Sequence, residues 1–177
     1  MAKVLSLRDS LLEKPTPKRV GSFKEVKGNL IEMAKSDKFD FIGHGCNCFA
    51  TMGAGIAKSI AENFPAMKKA DKDYSKYMES YEKLGNFSMA QVKTKKNIFM
   101  GINFYSQYYP GPDFDKEALK LSLKKFCILH KDQNIDLWSF GLPLIGCGIA
   151  GGEWSEVKEI IKSELSEFDV TIVHFNQ

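Results

Sequence analysis

Short apolar runs alternate with longer amphipathic segments along this chain, and the alternation limits its fold more than any other sequence feature. Within the longer segments, apolar residues recur at the spacing of one helix face. Strands that alternate with helices of this length predict an α/β fold with a largely parallel, buried sheet. The predicted strands are Phe39–Ile42, Phe87–Val92, Ile98–Tyr105, Ile135–Ile145 and Val170–Phe175, and the predicted helical faces lie in 56–64, 67–81, 119–127 and 157–168.

The length and composition predict one globular domain. The chain has 177 residues, of which 44% are hydrophobic and 27% charged, and a chain of this size buries a core without disulfides or a metal. Pro15 and Pro17 lie in a charged stretch, 1–20, which we interpret as an N-terminal arm before a domain at 21–177. No secretory signal and no apolar run of the roughly 20 residues that span a membrane are predicted, so we expect a cytoplasmic protein with thiol cysteines.

The charge pattern bears on the class of partner. The net charge is +3, and 25 basic residues are interspersed with 22 acidic ones rather than gathered on one face. This balance argues against a nucleic-acid partner, because such domains usually carry a clustered basic surface. It favours a small-molecule ligand.

Two glycine-rich segments, each between a predicted strand and a predicted helix, carry the clearest functional signal. The first glycine loop is GHGCNCFATMGAGIAKS at 43–59, and the second glycine loop is GLPLIGCGIAGGEW at 141–154. Glycines let the backbone approach a ligand, and N–H groups at a helix start favour an anion. Two such loops suit a ligand with two phosphates or a phosphate and a sugar. The alternative is that both are only tight turns.

The same loops permit two other interpretations. Gly146, Gly148 and Gly151 match the G-x-G-x-x-G pattern, but no acidic residue ends a following strand, so a dinucleotide oxidoreductase does not fit. A metal site is the other alternative, with its four candidate ligands in both loops. The usual zinc signature has C-x₂₋₄-C spacing, which the sequence misses. The candidates are His44, Cys46, Cys48 and Cys147.

Four stretches, in the same order, resemble the macro domain family of ADP-ribose-binding modules. They are KGNL at 27–30, HGCNCFATMGAGIA at 44–57, NFYSQ at 103–107 and LPLIGCGIAGGEW at 142–154. The resemblance covers about 22–175 and is greatest to the branch with the yeast-type ADP-ribose 1″-phosphate phosphatases and the terminal ADP-ribose glycohydrolase. It implies a single three-layer α/β/α domain, with helices on both faces of a mixed, mostly parallel sheet.

The resemblance also implies a pose for ADP-ribose. The first loop would hold the distal ribose, the second would cradle the diphosphate, and Asn29 would contact the adenine in place of the family's aspartate. Phe175 or His174 would pack on the adenine, with ordinary strand packing as the alternative. The implied ligand-binding residues are Asn29, Leu30, Gly53, Ala54, Gly55, Ile56, Asn103, Gly146, Cys147, Gly148, Ile149, Ala150, Gly151 and Phe175.

The branch resemblance separates two kinds of chemistry. The glycohydrolase uses a lysine and an aspartate, whereas Asn97–Asp115 contains no lysine and Ala150 replaces the aspartate. Hydrolysis of ADP-ribose 1″-phosphate, without metal or cofactor, is therefore the implied reaction. A binding module without catalysis is the main alternative, and ADP-ribosyl-protein hydrolysis ranks below both.

Three residues are the catalytic candidates for that reaction. His44 matches a histidine of the yeast-type enzyme, and we expect it at a strand end beside the first loop, where it would attack phosphate or deliver a proton. Its alternative is a structural histidine held by hydrogen bonds. Asn47 would contact the distal ribose, and Glu153 would orient a water or the histidine.

Overall fold

The computed structural model describes residues 20–130 and 138–175. Residues 1–19 of the predicted arm and the start of the predicted strand Ile135–Ile145 lie outside the described residues. In chain order, the elements are β1 (Phe23–Gly28), α1 (Leu30–Lys35), β2 (Phe41–Asn47), α2 (Gly55–Asn63), α3 (Pro65–Tyr74), α4 (Ser80–Lys83), β3 (Phe87–Lys93), β4 (Ile98–Gln107), α5 (Lys116–His130), β5 (Ser139–Leu142), α6 (Trp154–Glu164) and β6 (Asp169–Phe175).

One six-stranded sheet forms the middle of the described domain, in the order β1-β6-β5-β2-β4-β3. Each neighbouring pair is parallel except β3 and β4, which are antiparallel. The predicted mixed, mostly parallel sheet is confirmed. Because β1, β6, β5, β2 and β4 run the same way, their carboxyl ends meet at one edge, where α/β proteins bind ligands.

Each face of the sheet is covered by helices, as predicted. Side chains of α5 and α6, among them Phe126 and Ile161, form one buried cluster with the sheet. Side chains of α1, α2 and α3, among them Ile60 and Met67, form the other. The result is a three-layer α/β/α domain. No helix among residues 20–130 and 138–175 is long and apolar enough to cross a membrane.

Two local predictions were wrong or incomplete. The stripe at 67–81 is not one helix, because α3 ends at Tyr74 and the short α4 begins only at Ser80. Of the tyrosines in this stripe, Tyr74 stacks on Tyr105, whereas Tyr77 is 84% exposed and Tyr81 is 69% exposed. The edge strand β1 and the short helix α1 were not predicted. The sequence of β1 is mostly charged, and its apolar and polar residues alternate only weakly.

The strand that leads into the first glycine loop is longer than predicted. We expected it to end at Ile42, but β2 continues to Asn47. Gly43 and Gly45 permit this extension, because a Cβ at either position would press on neighbouring side chains of the sheet, Phe104 and Ser106 respectively. His44 consequently lies inside a strand rather than at its end.

Candidate active site

A cleft of about 840 Å³ crosses the edge where the carboxyl ends of the parallel strands meet. This is within the range of small-molecule sites. One end is lined by α1 and by Phe175 of β6, and the other by the end of β2 and by Gln107 of β4. Both glycine loops line its middle, so the cleft is where the sequence predicted a ligand.

The first glycine loop supplies a helix start whose N–H groups are free. Ala54 is the extended N-cap of α2 and has no side-chain hydrogen bond to the helix, and the first turn carries no acidic residue. The N–H groups of Gly55, Ile56 and Ala57 have no hydrogen-bond partner among the described residues. The unpaired N–H groups and the helix dipole together form a site for an anion.

The second glycine loop faces the first across the cleft. Gly146 has φ +74°, and a Cβ there would lie 2.4 Å from the ring of Phe114, so only glycine fits. Ile149, which is 61% exposed, projects towards the first loop. A Cβ at Gly55 would be 3.8 Å from its Cδ1. The two loops therefore bracket a narrow middle section.

Most predicted ligand-binding residues line this cleft, and four predicted site residues do not. Leu30 and Phe175 lie at one end, and Phe175 is 69% exposed, as a stacking aromatic must be. His174 instead pairs with Glu25 at 2.7 Å outside the cleft lining. The predicted residues in the lining are Asn29, Leu30, Asn47, Gly53, Ala54, Gly55, Ile56, Gly146, Cys147, Gly148, Ile149, Ala150 and Phe175; those outside it are His44, Asn103, Gly151 and Glu153.

Two asparagines of the lining have side chains that already serve the local backbone. Asn29 Oδ1 accepts from the N–H groups of Ile31 and Glu32 and caps α1. The acceptor expected to contact the adenine amino group is thus used twice. Asn47 Nδ2 donates to the carbonyl and the hydroxyl of Thr51, and its Oδ1 accepts from Phe49 N–H. Both residues shape the cleft by holding its loops.

The position of His44 differs from the expectation. Its side chain has no exposed surface, and its Nε2 donates to Asn103 Oδ1 at 2.8 Å. Burial lowers the pKa of His44 and outweighs the opposing effect of this hydrogen bond. The imidazole is therefore buried and lies outside the cleft lining. Its nearest cleft neighbour is Cys46, whose Sγ is 3.4 Å from Nε2 and whose thiol pKa is raised by burial.

Glu153 is also outside the main cleft. It is the exposed N-cap residue of α6 and lines a second, more acidic depression with Asp113 and Glu156. Burial raises the pKa of Cys147 to about 11, and the charge of Glu153 adds to this shift. The carboxylate is therefore near the second loop, but on its far side from the cleft.

A buried ion pair that sequence reasoning missed adjoins the cleft. Asp71 of α3 lines the cleft and is 1% exposed, and its Oδ1 accepts from Lys83 Nζ at 3.0 Å and from the Tyr105 hydroxyl at 2.8 Å. Lys83 is fully buried and also donates to Ser75 Oγ at 2.7 Å. The available signal was a charged residue four positions after Met67, on the apolar face of the predicted helix.

The metal alternative requires several ligands at one point. Although Cys46 contacts His44, no group of three or more histidine, cysteine, aspartate or glutamate side chains that could hold a metal forms in the described part of the chain. None of the four cysteines forms a disulfide in the structure. The proposed set of His44, Cys46, Cys48 and Cys147 is therefore not assembled.

The comparisons with known proteins agree on one family. The model of the Macro domain family matches residues 44–161. An uncharacterized 17.5 kDa protein of the tk-vs intergenic region of enterobacteria phage T4 is 31% identical over 150 residues, which are 85% of this chain and 94% of that protein. An ADP-ribose 1″-phosphate phosphatase of Candida albicans is 27% identical over 85% of this chain and 95% of its own. The macrodomain of Mycobacterium tuberculosis DarG has the same fold, with a TM-score of 0.72 and 21% identity over 86% of this chain and 97% of that one.

Proposed function

This chain belongs to the macro domain family, and from that premise we propose that it binds ADP-ribose and hydrolyses ADP-ribose 1″-phosphate to ADP-ribose and phosphate. Relatives from three yeasts bear the name ADP-ribose 1″-phosphate phosphatase and align with 83 to 85% of this chain. They support the reaction. The geometry of the cleft supports the ligand.

In this proposal, the ligand lies along the whole cleft. The adenine stacks on Phe175 beside α1, and the diphosphate lies between the two glycine loops. The distal ribose reaches Gly45 and Asn47 at the end of β2. This orientation puts the 1″ substituent beside β2 and β4, at the end of the cleft where Asp71 is found.

The free start of α2 carries the proposal. A diphosphate needs hydrogen-bond donors, and none of the described residues that line the cleft is a lysine, arginine or histidine. The N–H groups of residues 55–57 in the first loop and of residues 148–150 in the second have no hydrogen-bond partner among the described residues, so they are available as donors. Such a site selects a small anion with two phosphates, and it agrees with the near-neutral charge of the chain.

Calorimetric titration with ADP-ribose tests the binding step. Phe175→Ala is expected to weaken binding about 10- to 100-fold, because stacking of a base on an aromatic ring contributes about 1–3 kcal/mol. Tyr77→Ala is the matched control, since Tyr77 is an exposed aromatic far from both glycine loops in the sequence and outside the cleft lining. Absence of binding by the wild type would refute the proposal.

Release of phosphate from ADP-ribose 1″-phosphate tests the reaction. We expect turnover above the buffer blank in the presence of a chelator. Binding of ADP-ribose without turnover would select the other candidate, a binding module. The burial of His44 away from the cleft is the observation that favours it.

A further inference from the structure

The cleft contains few titratable side chains. Among the described residues of its lining these are Glu32, Asp71, Cys46 and Cys147. Glu32 is an exposed residue of α1, at the opposite end from β2 and β4, and pairs with Lys35. Burial raises the thiol pKa of both cysteines, so they are protonated at neutral pH. Asp71 is therefore the one carboxylate of the described lining near the proposed distal ribose.

One oxygen of Asp71 is occupied and the other is free. Oδ1 accepts both from Lys83 and from Tyr105, whereas Oδ2 has no hydrogen-bond partner among the described residues. Among the described residues, Ser106 Oγ is the single side-chain nitrogen or oxygen that is fully buried and has no hydrogen-bond partner. Because Asp71 Oδ2 also has no partner and is not such an atom, it retains some accessible surface. Asp71 lines the cleft and is 1% exposed, so this small surface is where a ligand in the cleft can reach the carboxylate.

A chain of hydrogen bonds holds Asp71 from behind. His44 donates to Asn103 at 2.8 Å, Asn103 donates to Ser88 at 3.0 Å, and Ser88 and Tyr105 are 2.9 Å apart. Since the Tyr105 hydroxyl donates to Asp71, the Ser88 hydroxyl must donate to Tyr105. Every donor in the chain points towards Asp71. The arrangement fixes the carboxylate and stabilises its negative charge.

The charge of this end of the cleft discriminates between two ways of removing the phosphate. Attack on phosphorus leaves negative charge on the phosphoryl oxygens, which enzymes stabilise with lysine, arginine or metal ions. The described lining contains no cationic side chain, and the buried Lys83 already pairs with Asp71 Oδ1. Attack on C1″ of the ribose instead passes through a positively charged, oxocarbenium-like transition state, which a carboxylate stabilises.

We propose that Asp71 is a catalytic residue and that this site cleaves the bond between C1″ and the phosphate oxygen. The proposal rests on the proposed function. Water attacks C1″ and transfers a proton to Asp71 Oδ2, while the C1″–O bond breaks and its electron pair stays on the departing phosphate. The proton then passes from Asp71 to solvent. Water and ADP-ribose 1″-phosphate thus yield ADP-ribose and phosphate.

Hydrolysis in ¹⁸O-labelled water identifies the broken bond. Cleavage at C1″ leaves all four oxygens of the phosphate unlabelled, whereas cleavage at phosphorus introduces one ¹⁸O, and mass spectrometry of the phosphate distinguishes them. Unlabelled phosphate is the expected result. Labelled phosphate would overturn this inference and leave the proposed phosphatase activity intact. Absence of phosphate release would overturn both. Unlabelled phosphate incubated with the protein serves as the exchange control.

Substitutions test the role of Asp71 itself. Asp71→Asn alone leaves the buried Lys83 unpaired, which is strongly destabilising, so the informative variant is Asp71→Asn with Lys83→Met. We expect this double variant to fold and bind ADP-ribose with little change, and its kcat to fall about 100-fold or more, with KM little altered. Asp73→Asn is the matched control, because Asp73 is a half-buried carboxylate of the same helix outside the cleft lining. If Asp71 serves only to neutralise Lys83, the folded double variant will retain wild-type kcat, and that result would refute the catalytic role.

Discussion

Placing a carboxylate at the start of α2 should stabilise the protein and abolish ligand binding at the same time. Ala54 has φ −145° and ψ 165°, the extended conformation of an N-cap residue, yet its side chain offers no acceptor. Ala54→Asp supplies an acceptor to the free N–H groups without changing the backbone. The same groups are those that we assign to the diphosphate.

The two effects have different magnitudes. An aspartate cap in place of alanine stabilises a helix by about 1 kcal/mol, with a further contribution from the helix dipole. A phosphate bonded to the same N–H groups would lie about 4 Å from the new carboxylate, where two unit charges repel by about 4 kcal/mol at an effective dielectric constant of about 20. We therefore expect the free energy of unfolding to rise by about 1 kcal/mol and the affinity for ADP-ribose to fall about a thousandfold.

Urea unfolding measures the first effect and calorimetric titration with ADP-ribose the second. Ala54→Ser is the control, because serine caps the helix without a charge; its stability should rise similarly and its affinity should fall much less. If Ala54→Asp raises stability but binds ADP-ribose like the wild type, the start of α2 is not the diphosphate site.

Three further predictions concern stability, and denaturant unfolding measures each. Ala50 has φ +56°, a conformation that strains alanine but not glycine, so Ala50→Gly should raise the free energy of unfolding by up to about 1 kcal/mol. A clear decrease in that free energy would contradict strain at this turn. Gly146→Ala should lower the free energy of unfolding by about 3 kcal/mol, because the backbone there has a positive φ and the new Cβ would clash with Phe114. Gly53→Ala is the control and should leave that free energy unchanged, because there is open space around Gly53. Burial lowers the pKa of His44 in the folded state, so below about pH 6.5 the unfolded chain binds a proton that the folded chain does not. The free energy of unfolding should then fall on acidification by at most about 1.4 kcal/mol per pH unit, and it should fall more steeply in the wild type than in His44→Gln. The same pH dependence in both proteins would show that His44 is not buried in solution.

The periodicity of the sequence was sufficient for the fold class and for the position of the cleft. Apolar strands such as Ile98–Tyr105 and glycine loops between strand and helix are local patterns, and the carboxyl ends of parallel strands must meet at one edge. The loop residues Gly55 and Gly146 were found in this way. Weakly patterned elements were not found, because β1 is a charged edge strand and neither glycine nor proline marks the break after Tyr74.

The sequence alone thus determined the α/β architecture and the two loops that line the cleft. Only the tertiary structure decided which side chains line that cleft. His44 was a reasonable candidate as a residue type, but an extension of β2 by five residues past Ile42 places it in the buried interior, outside the cleft lining. Asp71 was only a charge on an apolar helix face until packing brought Lys83 and Tyr105 to one of its oxygens and left the other without a partner among the described residues. Burial and orientation depend on contacts between residues far apart in the chain, and no local pattern encodes them.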